Sequence, residues 1–66
     1  MTLREKVKQF ISISQMPTTK FCKNVEVSQT MLYYWLNKER EISTAAENRI
    51  IDFMTDYVKK LMELAR

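Results

Sequence analysis

A chain of 66 residues, 45% hydrophobic and 29% charged, predicts one globular domain near the lower size at which a core holds without staples, and leaves no room for a second domain. Its formal charge is +3, and no stretch is long and apolar enough to cross a bilayer, so no membrane partner is expected. With no glycine, one proline, no histidine and one cysteine, hairpin turns, phosphate-cradling loops, His-based triads and His/Cys metal sites have no support, and an all-α chain of good helix formers is expected.

The opening MTLREKVKQF reads as the start of an amphipathic helix rather than a signal peptide, lacking an apolar run and a small-residue cleavage site. Thr2 to Glu5 has capping-box spacing, and Leu3, Val7, Phe10 and Ile11 follow at helical intervals, which predicts a helix over about 3–13. Pro17 breaks the pattern but suits a first helical turn. A short second helix over about 17–24, starting at Pro17 or Thr18, buries Phe21, Cys22 and Val25. After the turn Asn24-Val-Glu-Val27, Ser28 is placed to cap a third helix over about 28–37. A polar connection around Lys38 to Ile42 leads to Ser43 or Thr44, where Thr44-Ala-Ala-Glu47 is a second capping-box candidate. The last helix, about 43–65, would be roughly 33 Å long if unbroken. Ile50, Met54, Tyr57, Leu61 and Leu64 form one apolar stripe on it, flanked by Ile51, Val58, Met62 and Ala65.

The third helix divides by chemistry. At about 100° per residue, Met31, Leu32, Trp35 and Leu36 fill one arc, while Gln29, Thr30, Tyr33, Tyr34 and Asn37 fill the other. The polar arc carries no acid and consists of side chains able to reach base edges and phosphates, as a helix lying in a DNA groove requires. Gln29 can offer a bidentate amide to adenine, and Thr30 a hydroxyl or a methyl contact to thymine. Tyr33 and Tyr34 are unusual on a solvated face and can pack on sugars while their hydroxyls reach phosphate. Ser28 and Asn37 bound this base-contacting set, and Asn37 serves equally as a C-terminal cap. Thr18, Thr19, Lys20, Lys23, Lys38 and Arg40 are the candidates for phosphate contact.

Charge follows the same division. Residues 1–40 hold seven Lys/Arg against three acids, +4, and residues 41–66 hold four against five, −1. The basic excess lies with the suspected reading head, as binding to a polyanion needs. The plain alternatives are solvated surface for Gln29, Thr30 and the lysines, and core for Trp35. Cys22 reads as a small buried hydrophobe in a reducing, cytoplasmic setting.

The stretch TTKFCKNVEVSQTMLYYWLN, from Thr18 to Asn37, resembles the lambda-repressor and Cro-like family of phage and bacterial helix-turn-helix regulators. The resemblance extends over about 3–58, and Phe21, Cys22, Val25, Val27, Leu32 and Trp35 occupy the family's apolar motif positions. It implies a compact four- or five-helix bundle, a recognition helix at Ser28 to Asn37, and a repressor bound as a two-fold dimer to a palindromic operator. Departures are Thr18 for the usual Gln, Cys22 for the small Ala, Glu26 for the turn Gly and Lys38 for the Gly after Asn37. Either Glu26 takes a strained left-handed conformation, costing roughly 1 kcal/mol, or Asn24 reverses the chain.

For the last helix, one apolar stripe is expected to pack on the first helix and the inner face of the third, and the other on a second copy. Met54, Tyr57, Val58, Leu61, Met62 and Leu64 are the candidate dimer interface. No cofactor, metal, catalytic residue or small-molecule substrate is expected. The competing reading is a protein-binding module on the same fold, with Tyr33, Tyr34 and Met31 as its hot spot.

Overall fold

The computed structural model describes residues 1–66 as four helices without strands: α1 (Leu3–Ser14), α2 (Thr18–Val25), α3 (Gln29–Leu36) and α4 (Thr44–Leu64). The expected all-α architecture holds, at the four-helix end of the range, and no helix is long and apolar enough to cross a membrane.

Local chemistry explains where each helix begins. Thr2 Oγ1 accepts from the Glu5 amide at 3.2 Å, Ser28 Oγ from Met31 at 3.1 Å and Ser43 Oγ from Ala46 at 3.1 Å, each satisfying one donor that a helix start leaves open. Ser43, not Thr44, is thus the cap of α4, and the Thr44–Glu47 box expected from spacing is not used. Pro17 is the N-cap of α2 rather than a residue inside it, and supplies no side-chain cap. Val27 and Leu32, at the staple positions flanking the start of α3, are both buried.

Helix ends are where glycine's absence shows. Gln15, Glu26 and Lys38 all have positive φ, 55°, 57° and 62°. The left-handed residue of the turn is therefore Glu26, and Asn24 lies inside α2 with its Nδ2 donating to the Lys20 carbonyl at 2.8 Å. After α3, the Glu39 amide bonds the Tyr34 carbonyl at 2.9 Å and the Lys38 amide that of Trp35 at 3.0 Å, a Schellman closure with lysine in the position glycine usually holds. Gln15 ends α1 one residue later than the apolar pattern predicts.

The core is Val7, Phe21, Cys22, Val25, Val27, Leu32, Trp35, Ala46 and Ile50, drawn from all four helices and, through Val27, from the turn between α2 and α3. Phe10 of α1 and Phe21 of α2 meet Phe53 of α4 with ring centroids 5.6–6.0 Å apart, and Phe10 meets Tyr57 at 5.1 Å. Edge-on aromatic pairs of this kind add about 0.5–1.5 kcal/mol each beyond burial. α4 packs chiefly on α2 rather than on α1 and the inner face of α3 as expected; α1 meets it through Phe10, which contacts Phe53 and Tyr57.

Every residue from Val58 onward is exposed, and Leu61 is the last to line a groove shared with α1. The molecule is elongated, 40 × 24 × 22 Å.

Candidate nucleic-acid interface

Two arginines outside the helix-turn-helix set its geometry. Arg49 of α4 donates from Nε to the Val25 carbonyl at 2.9 Å and from a terminal nitrogen to that of Glu26 at 3.4 Å. Arg4 of α1 donates from Nε to the Trp35 carbonyl at 2.6 Å and pairs with Glu41 at 2.7 Å. Each places a cation on the last carbonyls of one motif helix, where the backbone dipole favours positive charge. Neither is available to a polyanion to the extent their contribution to net charge suggests. Sequence reasoning counted Arg4 among the cations of the basic half and gave neither arginine a role, since their partners lie 23 to 37 residues away.

Held in this way, α3 turns Leu32 and Trp35 inward, with Met31 and Leu36 half-buried. Gln29, Thr30, Tyr33, Tyr34 and Asn37 are exposed together on the outer face, as the periodicity predicts. Tyr33 is 64% exposed and stands edge-on to Tyr34 with centroids 5.9 Å apart. An exposed phenol pair makes a flat apolar surface bearing two hydroxyls, without a neighbouring acid on the helix. The Ser28 hydroxyl accepts the capping bond from the Met31 amide, which leaves it one lone pair and its proton for another partner. Asn37 uses Nδ2 on the Tyr33 carbonyl at 2.9 Å, so of its two expected roles the capping one is met within the chain, and its amide oxygen remains free to accept.

Around this face, Thr18, Thr19, Lys20, Lys23, Lys38 and Arg40 are all exposed. Thr19 and Lys23 of α2 share a shallow groove with Ser28, the cap of α3, and Gln29 in its first turn, so residues expected from the sequence to contact phosphates and bases lie on one surface. Glu26 lies at the same groove, and Glu39 sits between Lys38 and Arg40, so the flanks are mixed although the α3 face is not. Of the four helix starts, only that of α2 lacks a side-chain cap, leaving its first amides free beside Thr18, Thr19 and Lys20. Free amides at a helix start suit an anion. Arg40 is folded back, its guanidinium 5.6 Å from the Tyr34 ring centroid.

Cys22 faces this groove from beneath and is buried, and loss of solvation pushes its thiol above the ordinary value. The six positions expected at a dimer interface separate into two groups. Met54 and Tyr57 are half-buried within the domain, and Tyr57 belongs to the aromatic cluster. Val58, Leu61, Met62 and Leu64 are exposed. Ile13 of α1, which the sequence reading did not single out, lines a shallow apolar groove with Phe10, Tyr57, Val58 and Leu61.

Comparison of the chain with protein-family models, with curated proteins and with solved structures returns no match.

Proposed function

We propose that this protein is a sequence-specific double-stranded DNA-binding protein, a small Cro-like transcriptional repressor that inserts α3 into the major groove. The observation that carries this is the outer face of α3: Gln29, Thr30, Tyr33, Tyr34 and Asn37 exposed together without an acid, beside the cations of α2 and of the segment after α3. Gln29 and Thr30, in the first turn, are the base readers; Tyr33, Tyr34, Ser28 and Asn37 complete the surface. Thr18, Thr19, Lys20, Lys23, Lys38 and Arg40 grip the backbone on either side. The resemblance to the lambda-repressor and Cro-like family supports the same reading, and its natural setting is the cytoplasm of a bacterial or phage-infected cell.

The active form is a homodimer on a palindromic operator. Leu61, Met62 and Leu64 are 50%, 61% and 82% exposed, and burying a large aliphatic side chain is worth about 1.5–3 kcal/mol. A second copy related by a two-fold axis covers both exposed helix ends in one contact and presents two α3 helices to successive major grooves.

Selection of bound sequences from a random duplex pool, followed by a salt titration on the winner, tests the reading. A palindromic consensus, with affinity falling steeply as salt rises, is expected. Binding that ignores salt, or no enrichment at all, would move Tyr33, Tyr34 and Met31 to a protein partner, the function an aromatic patch serves best when phosphates are not its target.

A further inference from the structure

Three carbonyls of the last turn of α3, those of Tyr33, Tyr34 and Trp35, are taken, and the way they are taken links the interior of the protein to its outer face. Asn37 covers Tyr33 with its amide and side chain, Glu39 covers Tyr34, and the Trp35 carbonyl receives both the Lys38 amide and Arg4 Nε. Arg4 is mostly shielded, its guanidinium 5.6 Å from the Trp35 ring centroid, and a terminal nitrogen reaches on to the Arg40 carbonyl at 3.3 Å and to Glu41. That nitrogen therefore holds the backbone of Arg40 in place. From the anchored backbone the Arg40 side chain returns across Tyr34, and Tyr34 in turn meets Tyr33 edge-on.

We propose that Arg4, which touches no surface offered to DNA, is a positioning residue that sets Arg40 and the Tyr34–Tyr33 pair in their binding geometry. The proposal rests on the DNA-binding reading above. The backbone it restrains includes Lys38, a non-glycine residue at φ 62°, a conformation that persists only where surrounding bonds enforce it. Without Arg4 the segment from Lys38 to Glu41 keeps its two amide bonds to α3 but loses its tether to α1. Arg40 then samples solvent instead of standing over Tyr34, and the ordering it had before binding must be supplied when DNA binds. Lysine cannot substitute: an ammonium lacks the planar fork that reaches the Trp35 carbonyl, the Arg40 carbonyl and Glu41 at once.

Arg4→Lys keeps the formal charge and tests this directly. In the wild-type protein the Arg40 δ-methylene protons should resonate upfield through the Tyr34 ring current, and in Arg4→Lys they should return to ordinary shifts. On the selected duplex, Arg4→Lys should lose about tenfold in affinity, the scale of one charge-assisted hydrogen bond. The slope of log affinity against log salt should fall by about one, as in Arg40→Gln, although no charge has been removed from Arg4→Lys. The double variant should bind no more weakly than Arg40→Gln alone, because Arg4 acts through Arg40. Additive losses, an unchanged slope, or Arg40 shifts that Arg4→Lys leaves in place would each overturn the proposal. If wild-type protein shows no salt-dependent duplex binding, the DNA reading fails by itself, and the Arg40 shifts alone decide whether Arg4 positions it. Should Arg4→Lys not fold, the wild-type spectrum decides: a slowly exchanging Arg4 Nε proton with upfield Arg40 signals supports the proposal, and ordinary Arg40 shifts refute it.

Discussion

Glu26→Gly should make this protein more stable while removing a side chain from its surface. Glu26 sits at φ 57° and ψ 42°, where a β-carbon crowds the backbone at roughly 1–2 kcal/mol for an L-residue. Glycine escapes that strain but surrenders about 0.5–1 kcal/mol of extra chain entropy on folding, so the net gain lies within about 0–1.5 kcal/mol and is expected in the middle of that span, at about 0.5–1 kcal/mol. The bonds that Arg49 makes to the Val25 and Glu26 carbonyls involve backbone acceptors and survive the change. For 66 residues, at about 2.1 cal/mol/K of unfolding entropy per residue, this raises the thermal midpoint by about 4–7 °C. Thermal melts followed by circular dichroism at several protein concentrations would measure it free of any contribution from association. Glu26→Gln is the necessary control, because an acid at the C-terminal end of α2 also opposes the helix dipole. If glutamine reproduces the whole gain, charge and not backbone strain is responsible. A midpoint lowered by glycine would refute the strain argument outright. Gln15→Gly and Lys38→Gly lie in separate connections and should add similar increments.

Gln29→Ala should cost about 1–3 kcal/mol on the best operator and relax the preference at one base pair of each half-site, whereas Lys23→Ala should weaken all duplexes alike and reduce the salt slope by about one. Equal losses on selected and random duplexes would make Gln29 a positioning residue. Leu61→Lys should convert a dimer in sedimentation at micromolar concentration to a folded monomer and abolish operator binding; a wild-type protein that stays monomeric even on its operator rules out the two-fold arrangement. Because burial raises the Cys22 thiol above its ordinary value, the folded state keeps its proton longer than the unfolded chain does. The stabilisation is complete below the unfolded thiol's titration and fades as pH rises through the folded one. Native protein should thus resist alkylation near neutral pH and melt at lower temperature in strongly alkaline buffer, and rapid native-state alkylation at pH 7 would contradict the buried placement.

Periodicity, with the capping residues and the break at Pro17, located all four helices, because the alternation of apolar and polar residues is a local consequence of one buried face. It also separated Leu32 and Trp35 from Gln29, Thr30, Tyr33, Tyr34 and Asn37, since a helix of eight residues has few ways to rotate once two large side chains are fixed inward. Capping residues placed three of the four starts within a residue, with Thr44 taken as an alternative to Ser43. Which residue would turn left-handed after α2 stayed open between Asn24 and Glu26 for a physical reason: without glycine both are strained choices, and only the docking of α2 against α4 through Arg49 distinguishes them. The roles of Arg4 and Arg49 were illegible for a related reason. Each acts on carbonyls made adjacent by packing, and a local reading of charge assigns every arginine to solvent by default.

The composition and order of residues therefore determined the helices, their inward faces and the chemistry of the surface that α3 offers, all properties of neighbours along the chain. Only the tertiary structure decided that α4 would lie on α2, that Met54 and Tyr57 would be drawn into the domain while Leu61 and Leu64 were left outside it, and that Arg4 would cap α3 instead of joining the basic surface. Those outcomes depend on where helix axes cross, which is governed by the shapes of Phe10, Phe21, Phe53 and Tyr57 packed together from three helices, and no single stretch of sequence carries that information.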